Sequence, residues 1–179
     1  MPNRLRKLIS KIGHAPTETL MPHFFLNLDQ SPDRRGYWEE PWERFKAIHY
    51  NDISDDNPIF SKMVSYHNIS PNQHGGKCGC FLSHLSMLEF IIEEKINQVY
   101  LCEDDAKLVH PLPNPSDLPT DSLTYLGGFI TNRLITKKME TPPTHHNGVN
   151  VLDSKYRMLM TLAYYIPTWQ VAEQLYQKI

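Results

Sequence analysis

Cysteine is scarce in this sequence: Cys78, Cys80 and Cys102 are the three in a chain of 179 residues. So small and odd a number argues against a disulfide framework and suits a reducing compartment. No apolar run approaches the roughly 20 residues that span a bilayer, and the N-terminus has no apolar stretch of the signal-peptide kind. A cytoplasmic protein is the expectation. Excess charge is lacking too. A net charge of −2 offers no global attraction for a polyanion, so no nucleic-acid partner is expected. No internal repeat is visible.

What is present fits a globular domain. Hydrophobic residues make up 40% and charged residues 21%, which excludes a disordered chain. The length suffices for one domain with a substantial core. Prolines cluster between Pro111 and Pro119 and at Pro142 and Pro143, marking irregular connections. Residues 1–21 read as a basic extension. Leu5, Leu8, Ile9 and Ile12 fall there at helical spacing among Arg4, Arg6, Lys7 and Lys11. That stripe is a candidate for weak peripheral contact with the inner face of a membrane, although Gly13 and Pro16 keep it short.

Beyond Pro22, HFFLNL reads as a buried strand, and Ser31-Pro32 as a helix start running towards Trp42. Phe45–Ile48 is a second strand candidate. Residues 51–76 carry no periodic signal. Phe81, Leu85, Leu88 and Ile92, widened by Leu82, Met87 and Ile91, predict a helix over Cys78–Glu94. Strands are predicted at Gln98–Cys102, at Ser122–Leu126 with Gly127-Gly128 ending it, and at Met158–Ile166; a last helix follows Pro167. Alternating strands and helices predict an α/β fold with a mostly parallel sheet flanked by helices, and ligands then bind beyond the carboxyl ends of the strands.

One such end carries Glu103, Asp104 and Asp105 in a row. Three adjacent carboxylates repel one another unless water or a cation compensates. On an extended strand end Glu103 and Asp105 point one way and Asp104 the other, whereas in a turn Asp104 and Asp105 cooperate. Hard cations such as Mg²⁺ or Mn²⁺ take such oxygen ligands. The plain alternative is a solvated acidic turn or a helix cap. His74, Cys78, Cys80 and His84 invite a zinc reading, but their spacing is not that of structural zinc sites, and Cys80 reads better as a small core residue.

The series FFLNLDQSPDRR, ERFKAIHYND and GGKCGCFLSHLSMLEFIIEEKINQVYLCEDDA resembles glycosyltransferase family 25, the lipopolysaccharide-type galactosyltransferases related to collagen galactosyltransferases. SLTYLGG and TLAYYIPTWQVAEQLYQ extend the likeness to the C-terminus. The resemblance implies one GT-A-like, Rossmann-type nucleotide-binding domain over residues 22–179. It implies a nucleotide-diphosphate sugar donor, UDP-linked, and a glycan or lipopolysaccharide-type acceptor. It also implies Mn²⁺ or Mg²⁺ at a DxD-type motif, with hexose transfer that inverts the anomeric centre. Asp105 and Glu103 are then the expected metal ligands, with Asp104 on the sugar side. Asn27, Leu28, Arg34, Arg35, Ala47 and Asp52 are expected to face the nucleotide, with Lys77, Ser83 and His84 lining the donor pocket. Four of these have a plainer account: a solvated helix face for Arg34, Arg35 and Lys77, and a satisfied buried histidine for His84. The general base is sought among Asp153, Asp121 and the histidines of the Thr144–Asn147 loop, with Asp153 preferred.

Three departures from the family pattern stand out. Cys102 replaces an aliphatic residue, Lys77 replaces a glutamate, and Ile179 ends a chain that members usually continue. The rival expectation is therefore a non-catalytic nucleotide-sugar or glycan-binding domain.

Overall fold

The structure, a computed structural model, describes residues 21–54, 56–58, 61, 71–108, 110–132 and 156–178. The basic N-terminal stripe, Asp153 and the Thr144–Asn147 loop lie outside them. Five strands form one sheet: β1 (His23–Asn27), β2 (Trp42–Lys46), β3 (Val99–Glu103), β4 (Thr124–Asn132) and β5 (Tyr156–Ile166), in the order β2-β1-β3-β5-β4. The fold is α/β as expected, but the sheet is mixed rather than mostly parallel. β1 runs parallel to β2 and β3, whereas β5 runs antiparallel to both β3 and β4. The physical reason is connectivity. Among the described residues β4 and β5 are consecutive strands paired as antiparallel neighbours, and such a pair needs no crossover to reverse the chain.

Helices α1 (Pro71–Glu93) and α2 (Trp169–Tyr176) cover one face of the sheet. Phe24, Leu26, Val99, Leu101, Tyr164 and Ile166 project from the strands into this core to meet Leu85, Met87, Ile91, Val171 and Ala172 of the helices. Strand alternation sends Tyr100 and Tyr165 to the opposite face, where they pack with Leu118 of the proline-rich segment. Leu82, Met87 and Ile91 are buried on α1, whereas Phe81 and Ile92 are only partly so. Leu85 and Leu88 of the predicted stripe are buried as well, so the buried face is wider than that stripe rather than displaced from it, because α1 packs against both the sheet and α2.

α1 also begins seven residues before the predicted start, at Pro71, and runs through three glycines. Two of these allow close approach. A Cβ on Gly79 would lie 2.6 Å from the Ile48 carbonyl oxygen, and one on Gly75 2.6 Å from the Tyr50 ring, whereas Gly76 has nothing within 4 Å. Helix propensity alone favours alanine over glycine by about 1 kcal/mol at each position. Gly76→Ala is expected to stabilise by about 0.5–1 kcal/mol, and Gly79→Ala to destabilise by about 1–2 kcal/mol, because backbone meets backbone there. Urea melts of the two variants check the opposite signs.

Two other expectations shift. The predicted helix from Ser31 is a short 3-10 helix, Pro32–Tyr37, after which Trp38 is extended and β2 starts at Trp42. Gly36 weakens a helix, and the arginines of this turn are drawn inward by partners described below. β4 does not end at Gly127-Gly128 but passes through with two register shifts against β5. Glycine here marks a bulge rather than a stop.

Candidate active site

The carboxyl ends of parallel β1 and β3 lie side by side, Leu26 opposite Glu103. Alternation on β3 sends Glu103 to the α1 side and Asp104 to the opposite face. Two polar groups result, one on each side of the strand end.

On the face away from α1, Asn27 is the hub and is 1% exposed. Its amide nitrogen donates to Asp104 Oδ2 at 2.7 Å and to the Ser31 carbonyl at 2.9 Å. Its amide oxygen accepts from Arg35 Nε at 2.8 Å and Arg44 Nε at 2.9 Å. Two donors and two lone pairs are thus all used. With a carboxylate on one side and two guanidiniums on the other, the amide has one satisfactory orientation. Arg34 Nη1 donates to Asp104 Oδ1 at 2.9 Å and lies 3.9 Å from Asp105 Oδ2. Trp38 stacks on Phe25 and donates its indole N–H to the Asp104 carbonyl at 3.3 Å. A cleft of about 740 Å³ opens here, lined by Arg34, Tyr37, Trp38, Asp104, Asp105 and Lys107 among others.

Just outside the hub, Asp29 pairs with Arg44 and with Lys46 Nζ at 2.9 Å. The hydrogen bond from Lys46, then that from Arg44, hold its carboxyl down to about 2. A carboxylate depressed on folding contributes stability above its unfolded value near 3.9, and loses it as pH falls through the folded value. Asp29→Asn should therefore cost stability at neutral pH, by a small amount because the group is exposed. That difference should fade between about pH 4 and pH 2, as read by denaturant melts across the range.

On the α1 side, Glu103 Oε1 lies 3.3 Å from His84 Nε2 and 3.8 Å from Cys80 Sγ. His84 Nδ1 is 2.8 Å from the hydroxyl of Tyr164, a buried residue of β5. Cys80 is exposed overall, but local desolvation of its thiol, then the Glu103 and Asp105 carboxylates, push it up to about 12. A strand end of three carboxylates, with guanidiniums on one face and a thiol and an imidazole on the other, suits cation and phosphate chemistry.

The sequence profile of glycosyltransferase family 25 (LPS biosynthesis protein) matches residues 21–179. The chain belongs to glycosyltransferase family 25. No curated protein matches the sequence. Membership makes this a glycosyltransferase domain of a family tied to lipopolysaccharide biosynthesis, with a sugar donor and a glycan acceptor as its partner classes.

Within this family 25 domain, Asn27, Arg34, Arg35 and Asp104 come together at one point. Asn27, expected to face the nucleotide, has its amide saturated and buried; it organises the site instead. Leu28 is half-buried, and its carbonyl accepts from Ser31 N at 3.1 Å, closing the turn. Arg35 Nη2 reaches the Asp29 carbonyl at 3.3 Å. Ala47 is partly buried against the core, with its N–H on the Asn27 carbonyl at 3.0 Å. Asp52 is exposed on the Tyr50–Asp52 turn that packs on α1, and Lys77 is exposed on α1. Ser83 is turned away from the cleft. It is buried, accepts from Ile48 N–H at 2.7 Å and donates to the Gly79 carbonyl at 2.6 Å, so it fastens α1 to the chain after β2. Asp121 is exposed in the turn before β4. Cys78 is buried in the core while Cys80 faces Glu103, so the two thiols diverge and Cys80 is not the core residue expected of it.

Arg44, Lys46, Trp38 and Tyr164 were not singled out in the sequence. The register of β1 against β2 puts Arg44 beside Phe25 and Lys46 beside Asn27, on the hub's face. The alternation in ERFK was the available signal.

Proposed function

We propose that this domain transfers a hexose from a nucleotide-diphosphate sugar, UDP-linked, to a lipopolysaccharide-type glycan in a metal-assisted reaction that inverts the anomeric centre. The observation that carries the reading is the juxtaposition of the acidic turn with Arg34 at the mouth of a cleft of about 740 Å³. Asp104 is committed to Asn27 and Arg34, so Asp105, which lines the cleft, is the first carboxylate for a cation, with Glu103, held by His84 on the α1 side, as the second. Oxygen donors of this kind fit Mn²⁺ or Mg²⁺. When bound, such an ion offsets the charge that develops on the leaving diphosphate.

The chain's own groups do the rest. Arg34 is nearly half exposed, and it offers further N–H donors to phosphate oxygens while Asp104 holds its guanidinium in place. Asn27 and Trp38 hold the acidic turn at Asp104 against the mutual repulsion of its carboxylates, and Arg35 and Arg44 hold Asn27. Asp153 is the general base of choice for the acceptor hydroxyl.

The test is nucleotide release and product analysis. UDP- and GDP-sugars are offered with Mn²⁺ and a lipooligosaccharide acceptor, and the anomeric configuration of the product is read by NMR. Acceptor-dependent UDP release with an inverted linkage is expected, strongly reduced in Asp105→Asn. A retained linkage would overturn the inverting reaction. Binding of the donor without transfer to any acceptor would favour the non-catalytic reading.

A further inference from the structure

The group on the α1 side of the strand end is used only in part by the donor reading. Cys80 and His84 stand one helical turn apart on the same face of α1, and Glu103 meets both from the end of β3. Their Sγ, ring nitrogen and carboxylate oxygen all lie within 4.8 Å of one another.

The distances have a recognisable scale. A tetrahedral Zn²⁺ binds sulfur at about 2.3 Å and nitrogen or oxygen at about 2.0–2.2 Å, so neighbouring ligand atoms sit about 3.5 Å (S to O) and about 3.3 Å (N to O) apart. Here the S-to-O separation is 3.8 Å and the N-to-O separation 3.3 Å. A shift of the thiol by a few tenths of an ångström closes the S-to-O difference, and the sulfur-to-nitrogen edge lies within 4.8 Å.

The surroundings fit as well. Metal-bound histidines hold their second ring nitrogen on a partner that sets the tautomer. The Tyr164 hydroxyl, 2.8 Å from His84 Nδ1, can accept that N–H and leave the Nε2 lone pair aimed towards Glu103. Without a metal, the same three groups form a plain hydrogen-bond network, Tyr164–His84–Glu103 with the Cys80 thiol donating to Glu103, and the cobalt titration below separates the two.

We propose that Cys80, His84 and Glu103 form a site for a borderline divalent cation, Zn²⁺ or Co²⁺ in preference to Mn²⁺ or Mg²⁺, with a fourth position open to water or to an oxygen of the donor. Thiolate and imidazole are the ligands that make this preference. Three protein ligands with one open position is the pattern of reactive rather than structural zinc sites. Cys80 releases its thiol proton to solvent on binding. The site shares Glu103 with the proposed function and rests on that reading only for the donor oxygen as fourth ligand.

Titration of the reduced full chain with Co²⁺ tests it. One equivalent should produce a near-ultraviolet thiolate-to-cobalt band together with visible d–d bands, reversed by Zn²⁺ and not by excess Mg²⁺. Cys80→Ser should abolish the charge-transfer band, Cys78→Ser should leave it, and His84→Ala or Glu103→Gln should weaken cobalt binding at least about tenfold. Melting of the metal-free variants checks that each is folded. No thiolate band in the wild-type chain, or a band that survives Cys80→Ser, overturns the site without reference to any variant's activity. Asp105→Asn separates the two readings. It should keep the cobalt bands while losing the stabilisation by Mn²⁺ with UDP, so either can fail while the other stands.

Discussion

Asn27→Ala is expected to lower stability by about 3 kcal/mol, which for a chain of this size lowers the melting temperature by about 6–12 °C. The effect is large for a polar residue because the amide joins three charged side chains. Its loss leaves Asp104 without its 2.7 Å donor and leaves Arg35 and Arg44 without their shared acceptor, all at a point where Asn27 is 1% exposed. Asn27→Asp is nearly isosteric and should fare no better near neutral pH. It replaces the donor facing Asp104 with a second carboxylate, and like charges at hydrogen-bond distance do not both ionise readily. A shared proton relieves that repulsion, so Asn27→Asp should lose less against wild type near pH 5 than near pH 8. Melting curves of both variants at the two pH values decide it. A loss below about 1 kcal/mol in both would show that the hub is an exposed network of little weight.

Arg34→Ala should reduce kcat/KM for the donor by about 10²–10³-fold, the usual consequence of removing one charge-stabilising donor from a transfer reaction. Stability should change much less, since its guanidinium side chain is 44% exposed. Arg34→Lys should fall between, because an ammonium supplies charge without the planar fork that Asp104 now orients. Donor kinetics within a few-fold of wild type for Arg34→Ala would place the diphosphate elsewhere.

Much of this arrangement was legible before the fold. β1, β3, β5 and α2 follow from their apolar patterns, and the acidic triplet sits at a strand end as VYLCEDD implies. Strict alternation along β3 already separates Glu103 from Asp104. What local pattern cannot supply is phase and register. Cys80 and His84 meet Glu103 only because α1 presents that face to β3, nineteen residues after His84. Arg44 reaches Asn27 only through the parallel register of β1 and β2. The early start of α1 was hidden by Gly75, Gly76 and Gly79, which oppose helix locally, although Gly75 and Gly79 let Tyr50 and Ile48 pack against it. Ser83 looks like a site residue by its place beside His84, but one helical step turns it to the Ile48 backbone.

The most direct test of a metal-assisted nucleotide site at this strand end is a set of melting curves with UDP, with Mn²⁺ and with both, on the wild-type chain and on Asp105→Asn. A ligand at 100 times its dissociation constant adds about 2.7 kcal/mol, so a rise of about 5–11 °C is expected when both are present. Either ligand alone should give little, and Asp105→Asn should give little with both. The same rise from UDP with or without Mn²⁺, or no rise with both, would contradict the metal-assisted site at Glu103 and Asp105.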